Sequence, residues 1–173
     1  MNVCVFCSAC EQLDNAYITA ARQLGRWAAE NGHTIVYGGV RQGLMEQLAQ
    51  ACKEAGGTTV GVVPRVVVQQ GRVSDHADVL IHCEDLSDRK ALMMERSDVF
   101  VALPGGIGTL DELFSVAAMH TIGYHHKPML LLDVAGFWAP LADMLDRMAR
   151  QGVIRGEWTD YIRLIHSPEE ITQ

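Results

Sequence analysis

Apolar residues along this chain alternate between two periods. Residues 2–6, 33–37, 58–63, 79–83, 99–103, 128–132 and 161–165 are short, nearly continuous apolar runs, the pattern of strands buried on both faces. Longer stretches with helical spacing lie between them. In residues 16–30 the apolar positions are Ile18, Ala21, Leu24, Trp27 and Ala28, and Asn31-Gly32 closes the segment. Residues 44–55 (stopped by Gly56-Gly57), 86–96, 110–122 and 137–151 are predicted as further helices, the last with Leu141, Met144, Leu145 and Met148 on one face. Residues 66–74 fit neither period and are expected as a loop or partial strand. Residues 168–171 begin a terminal helical turn.

Alternating strands and helices, with strands apolar throughout, predict an α/β fold. The expectation is a Rossmann-like doubly wound, mostly parallel sheet of about six to seven strands, helices on both faces, formed by residues 1–173 as one domain. Ligands of such sheets bind beyond the carboxyl ends of the strands, where the strand order reverses. The candidate loops are therefore 7–12, 38–43, 84–90 and 104–109.

Two of these loops are glycine-rich turns from strand to helix. Pro104-Gly105-Gly106-Ile107-Gly108-Thr109 leads into one helix, and Gly38-Gly39-Val40-Arg41-Gln42-Gly43 leads into another. Helix N-termini present free amides and partial positive charge, so such turns can cradle an anion. Tight turns need glycine anyway, but two at equivalent places in one sheet point to a ligand. The G-G-x-x-x-G spacing is not the G-x-G-x-x-G of dinucleotide folds, and no P-loop G-K-[ST] occurs, which removes nicotinamide-binding and ATP-hydrolysing readings. Arg89-Lys90 stands near the start of a helix at the ligand end of the sheet, where the helix dipole disfavours cations. Glu112 has two open readings. Thr109-Leu110-Asp111-Glu112 matches a capping box, worth about 1 kcal/mol with no ligand, and Asp111 suits a first helical turn. The alternative is a carboxylate facing a site.

Charge and composition narrow the partners. With 173 residues, 49% hydrophobic and 20% charged, the chain is ordinary for a globular protein. A net charge of −7 argues against nucleic acid and leaves room for a small anionic ligand at a local basic pair. No apolar run reaches bilayer length, and residues 1–6 lack a basic leader region, so the expectation is a cytoplasmic protein without a membrane partner, its five cysteines reduced. Cys4, Cys7 and Cys10 have C-x2-C-x2-C spacing, but Cys4 lies within a strand and no Cys-Pro follows, so they are expected as inert thiols. His120 and His125 are five apart, not four, and His126 belongs to a loop; they are expected as turn or interface residues, with no metal site. Met93, Met94, Met119, Met144 and Met148 are expected as core or interface filler.

Arg89-Lys90, followed after a strand by Pro104-Gly105-Gly106-x-Gly108-Thr109-x-x-Glu112, strongly resembles the Lonely Guy family. Its members are cytokinin riboside 5′-monophosphate phosphoribohydrolases, long mislabelled lysine decarboxylases. The resemblance runs from Val3-Cys4-Val5-Phe6-Cys7 through Gly43-Leu44-Met45 to Lys127-Pro128. It implies hydrolysis of the N-glycosidic bond of a nucleoside 5′-monophosphate by a Rossmann-like homodimer, with no cofactor and no pyridoxal lysine. It also implies catalytic roles for Arg89 and Glu112 and nucleotide contacts from Lys90, Gly105, Gly106, Gly108 and Thr109. Ser8, Gly38, Gly39 and Gly43 join these as candidate substrate-binding positions. The chain departs from the family pattern at Cys7-Ser8-Ala9-Cys10, where C-G-S-S is usual. It departs again at Val40 and Glu46, where glycines are usual, and at Ala118-Met119, where Thr-Trp is typical. The alternative on the same fold is a non-catalytic nucleotide- or molybdenum-cofactor-binding carrier.

Overall fold

A computed structural model describes residues 1–173, and each apolar run forms a strand: β1 (Asn2–Phe6), β2 (Thr34–Tyr37), β3 (Thr58–Pro64), β4 (Val79–Cys83), β5 (Val99–Ala102), β6 (Met129–Leu132) and β7 (Ile162–Ile165). The helices are α1 (Asn15–Glu30), α2 (Gly43–Glu54), α3 (Arg65–Gln69), α4 (Leu86–Glu95), α5 (Ile107–Thr121) and α6 (Ala139–Arg150). Two 3-10 turns, Trp158–Asp160 and Pro168–Thr172, flank β7.

All seven strands join one parallel sheet in the order β4-β3-β2-β1-β5-β6-β7. From β1 the chain winds outward through β4, then returns to lay β5 on the other edge of β1. The order therefore reverses between β1 and β5, and a crevice opens where their ends diverge. The Leu103 amide donates to the Phe6 carbonyl at 2.9 Å and the Ser8 amide to the Pro104 carbonyl at 3.3 Å, so the two loops leave the sheet side by side.

The central strands β5 and β6 are apolar and buried at every position because both faces are covered, and β1 is buried from Val3 to Phe6. Val3 and Val5 of β1 pack on one side with Leu24 of α1 and Leu48 of α2. Cys4 and Phe6 pack on the other with Met93 of α4, Leu113 of α5 and Leu145 of α6, and the Phe6 and Phe100 rings stack at 6.1 Å. Alternate residues of one strand thus anchor opposite layers, as strand geometry requires.

Three expectations are corrected. Residues 66–74 begin in a helix: Pro64 directs the chain into α3, Gly71 ends it at φ +65°, and only Val73 pairs in β fashion, with Val40. Helix α6 starts at Ala139, not at residue 137. Helix α5 starts at Ile107, three residues before the expected 110, because its glycines continue into the helix instead of preceding it. Gly106 is its N-cap and supplies no side chain, and Thr109 lies inside the first turn, so the Thr109–Glu112 capping box does not form.

Candidate active site

A cleft of about 330 Å³ opens at the β1/β5 reversal, lined by residues from four segments: the ends of β1 and its loop, Gly38 and Met45, Arg89, and the start of α5 through Glu112. Each segment is delivered by a strand end or a helix start, which fixes its backbone.

Arg89 reaches the cleft from α4, a helix capped by Asp85, whose carboxylate accepts from the Ser87 and Asp88 amides at 2.8 and 2.9 Å. That cap and the first-turn Asp88 offset the cost of cations near the helix start. The guanidinium is held by two backbone carbonyls, Nε to Val62 at 3.0 Å and Nη2 to Gly38 at 2.8 Å. Its third nitrogen, Nη1, is left 3.6 Å from Glu112 Oε1. Gly38 is glycine for lack of room: a Cβ there would stand 1.8 Å from Arg89 Nη2 and 2.7 Å from Met45 Sδ.

Glu112 lies one turn into α5, with its side chain 14% exposed beside an Arg89 side chain 12% exposed. Burial pushes its carboxyl up to about 7, against the pull of Arg89. A carboxylate poised near neutrality in a cleft has the character of an acid–base or charge-stabilising group. The Cys7 thiol beside it is pushed well above its ordinary value by burial, which makes it an inert wall.

At the other end of the cleft the first turn of α5 is exposed as bare backbone. Gly106 caps it without a side chain, its first turn carries no acid, and Gly106, Ile107, Gly108 and Thr109 line the cleft. Nothing stands within 4 Å of where a Cβ would be at Gly106 or Gly108, so no neighbouring group crowds that side of either residue. A helix start of this kind, with no side-chain cap and no acid in its first turn, has the geometry and dipole to receive an anion.

Of the residues singled out in the sequence, Ser8, Gly38, Arg89, Gly106, Gly108, Thr109 and Glu112 share the cleft lining. Four do not. Lys90 turns to the far side of α5, where Nζ meets both Asp111 oxygens at 2.8 Å and Ser115 Oγ at 3.0 Å. Gly105 backs onto Thr109, where a Cβ would meet Oγ1 at 2.1 Å. Gly39 (φ +64°) faces Val63, and Gly43 (φ +54°) presses on the Ser8 and Cys10 carbonyls, each 2.6 Å from where a Cβ would be, so both serve loop packing. Met45, Cys10 and Ile107 also line the cleft, though none is among the catalytic or substrate-binding candidates. Cys10 and Ile107 fall within the loops marked as candidates, and Met45 within the Gly43-Leu44-Met45 stretch of the family resemblance.

The histidines gather beneath the end of α5. The His120 ring centroid lies 5.7 Å from that of His125 and 5.5 Å from that of His126, yet no group of three side chains has the geometry of a metal site.

The family model described as "Possible lysine decarboxylase" matches residues 45–173. A probable cytokinin riboside 5′-monophosphate phosphoribohydrolase of Oryza sativa subsp. japonica is 36% identical over 99% of this chain and 70% of its own. A cytokinin riboside 5′-monophosphate phosphoribohydrolase of Rhodococcoides fascians is 39% identical over 88% of this chain and 78% of its own. Among solved structures, a molybdenum cofactor binding protein from Rippkaea orientalis has a TM-score of 0.74 at 26% identity, covering 99% of this chain and 92% of that one. A molybdenum cofactor carrier protein from Chlamydomonas reinhardtii has a TM-score of 0.72 at 25% identity, covering 99% and 93%. The matched model, the level of identity to the phosphoribohydrolases and the shared cleft motif agree, and the chain belongs to the Lonely Guy family.

Proposed function

We propose that this protein hydrolyses the N-glycosidic bond of a nucleoside 5′-monophosphate, AMP or an N6-modified AMP of the cytokinin type, giving free base and ribose 5-phosphate. The observation that carries the reading is the largely buried Glu112 carboxylate beside Arg89, one turn along from the start of the same helix, which has no side-chain cap, in one cleft. The relatives are named for riboside 5′-monophosphate substrates, which fit that division of the cleft.

In this mechanism the α5 amides hold the 5′-phosphate and so fix the ribose against Glu112. The bond from C1′ to the base nitrogen breaks with its electron pair leaving on the base. C1′ becomes oxocarbenium-like, as in glycoside hydrolysis. The ionised Glu112 stabilises that cation and takes a proton from the water whose oxygen bonds to C1′. That proton is returned to the departing base. Arg89 is permanently charged and donates no proton; it keeps Glu112 ionised and oriented. The reaction needs no cofactor or metal.

Two finer points belong to the same reading. One face of α5 is apolar and uncovered, with Ile107 82% exposed and followed by Leu110, Phe114 and Ala118 at helical spacing. An apolar groove lined by Ile122, Met148 and Val153 continues it. A twofold homodimer would cover this face and set a partner beside the cleft mouth. The five free cysteines suit a cytoplasmic setting, and no helix is long and apolar enough to cross a membrane.

The test is incubation with AMP and with N6-isopentenyl-AMP, measuring free base and ribose 5-phosphate. Equimolar release of both products is expected, with adenosine, which lacks the phosphate, a poor substrate. The structural likeness to molybdenum-cofactor proteins supplies the second reading. Tight nucleotide or cofactor binding with no product release would favour a carrier.

A further inference from the structure

Outside the cleft, one polar cluster is tied to the loop that holds Arg89. Glu46, in the first turn of α2, accepts a hydrogen bond from Ser74 Oγ at 2.5 Å and pairs with His76 Nδ1 at 2.8 Å. A Ser, a His and a Glu in contact suggest a hydrolytic triad, but here the carboxylate, not the imidazole, sits on the serine, so the hydroxyl has no base to activate it. The cluster fastens chain segments instead. The Ser74 amide donates to the Gly39 carbonyl at 2.9 Å, Val73 pairs with Val40, and the Arg41 amide donates to the Arg72 carbonyl at 2.8 Å. Residues 72–76 therefore form a strap across the 38–41 loop, with Glu46 fixing its end to α2. His76 is tied down again through its carbonyl, which accepts from Thr59 Oγ1 at 2.5 Å. The buried Tyr37 hydroxyl lies beside Ser74 on the inner side.

Besides lining the cleft at Gly38, the loop under this strap holds Arg89: the Gly38 carbonyl accepts from Arg89 Nη2, one of two backbone acceptors that aim the guanidinium at Glu112. We infer that Glu46 is a positioning residue, acting through Ser74, His76 and the 38–41 loop to hold Arg89 against Glu112. The inference rests on the proposed roles of Arg89 and Glu112. Glu46 itself does not line the cleft; its carboxylate is turned to Ser74 and His76.

Releasing the strap lets Gly38 and Arg89 drift, and small misplacements of a charge-stabilising group cost rate more than binding. In Glu46→Ala, kcat for AMP is expected to fall about tenfold while KM changes less than about threefold. With Arg89 loosened, its hold on the Glu112 carboxyl weakens, and Asp111 and Lys90 are the other charged neighbours of that carboxyl. A carbon-13 NMR titration of Glu112 should then move upward by about half a pH unit. Ser74→Ala, which deletes one hydroxyl, should give a smaller shift in the same direction and serves if Glu46→Ala does not fold. Glu54→Ala, at the other end of α2, breaks the partly exposed pair with Arg22 at 2.7 Å, touches neither the strap nor the 38–41 loop, and should change neither readout. An unmoved Glu112 titration in both strap variants overturns the inference, whatever the wild type does with AMP. A wild type that leaves AMP intact overturns the catalytic reading instead.

Discussion

Arg89 Nη1 stands 3.6 Å from Glu112 Oε1, the two side chains arriving from different helices, and the arginine's other two nitrogens each donate to a backbone carbonyl, of Val62 and Gly38. The pair is thus pinned from the arginine side. Glu112 is free to face a ligand, while its partner is not.

Removing the arginine should expose that dependence. Arg89→Ala leaves the Glu112 carboxyl buried with its main favourable charge gone, so its titration should rise further above 7. Turnover at neutral pH should drop at least about 100-fold. Arg89→Lys should not rescue it, because one ammonium cannot serve Val62, Gly38 and Glu112 in the same fork geometry. Steady-state kinetics on AMP with the three proteins checks this.

The pH dependence of activity and of stability should run in opposite directions. Turnover needs ionised Glu112 and should be lost as pH falls through about 7. For stability, the folded state holds this proton up to about 7 while the unfolded chain releases it near 4.5. The native state therefore gains stability as pH falls across that window. Relative to Glu112→Gln, which cannot titrate, the wild type should gain roughly 3 kcal/mol between pH 8 and pH 4. Thermal melts of both proteins across that range measure the difference, and a constant gap would contradict it.

His125 should act with the opposite sign. Its pKa is lowered by burial first and by His120 second, and its Nε2 is buried without a hydrogen-bond partner. Charging this ring is favourable in the unfolded chain and not in the folded one, so its contribution is lost as pH falls below the ordinary histidine value. His125→Gln should lose less melting temperature than wild type between pH 7 and pH 5.

The glycines should separate by role. Gly43→Ala puts a Cβ at φ +54° against the Ser8 and Cys10 carbonyls and should cost about 2–3 kcal/mol or more, read as a lower Tm. Gly108→Ala meets nothing within 4 Å and should fold normally, yet it narrows the anion site. Its effect should appear as a raised KM for AMP with Tm near wild type.

Much of this arrangement was legible in the sequence for identifiable reasons. Unbroken apolar runs such as Val99-Phe100-Val101-Ala102 can only be strands covered on both sides, and that fixed a parallel sheet and the end at which a cleft opens. Arg89 and Glu112 were visible through their motif. The start of α5 was not, since Gly106 and Gly108 look like turn residues and the cap depends on backbone conformation, not on a side chain. Lys90 was misleading because a helix presents neighbouring residues to different sides, so Arg89 enters the cleft while Lys90 meets Asp111. The anchors of Arg89 are carbonyls from β3 and the 38–41 loop, and backbone groups leave no compositional trace.

The most direct measurement is base release from AMP by wild type beside Glu112→Gln and Arg89→Ala, each confirmed folded, at equal enzyme concentration and pH 8. The account predicts one ribose 5-phosphate per free base from the wild type and at least about 100-fold less from either variant. Equal release by wild type and Glu112→Gln would contradict it.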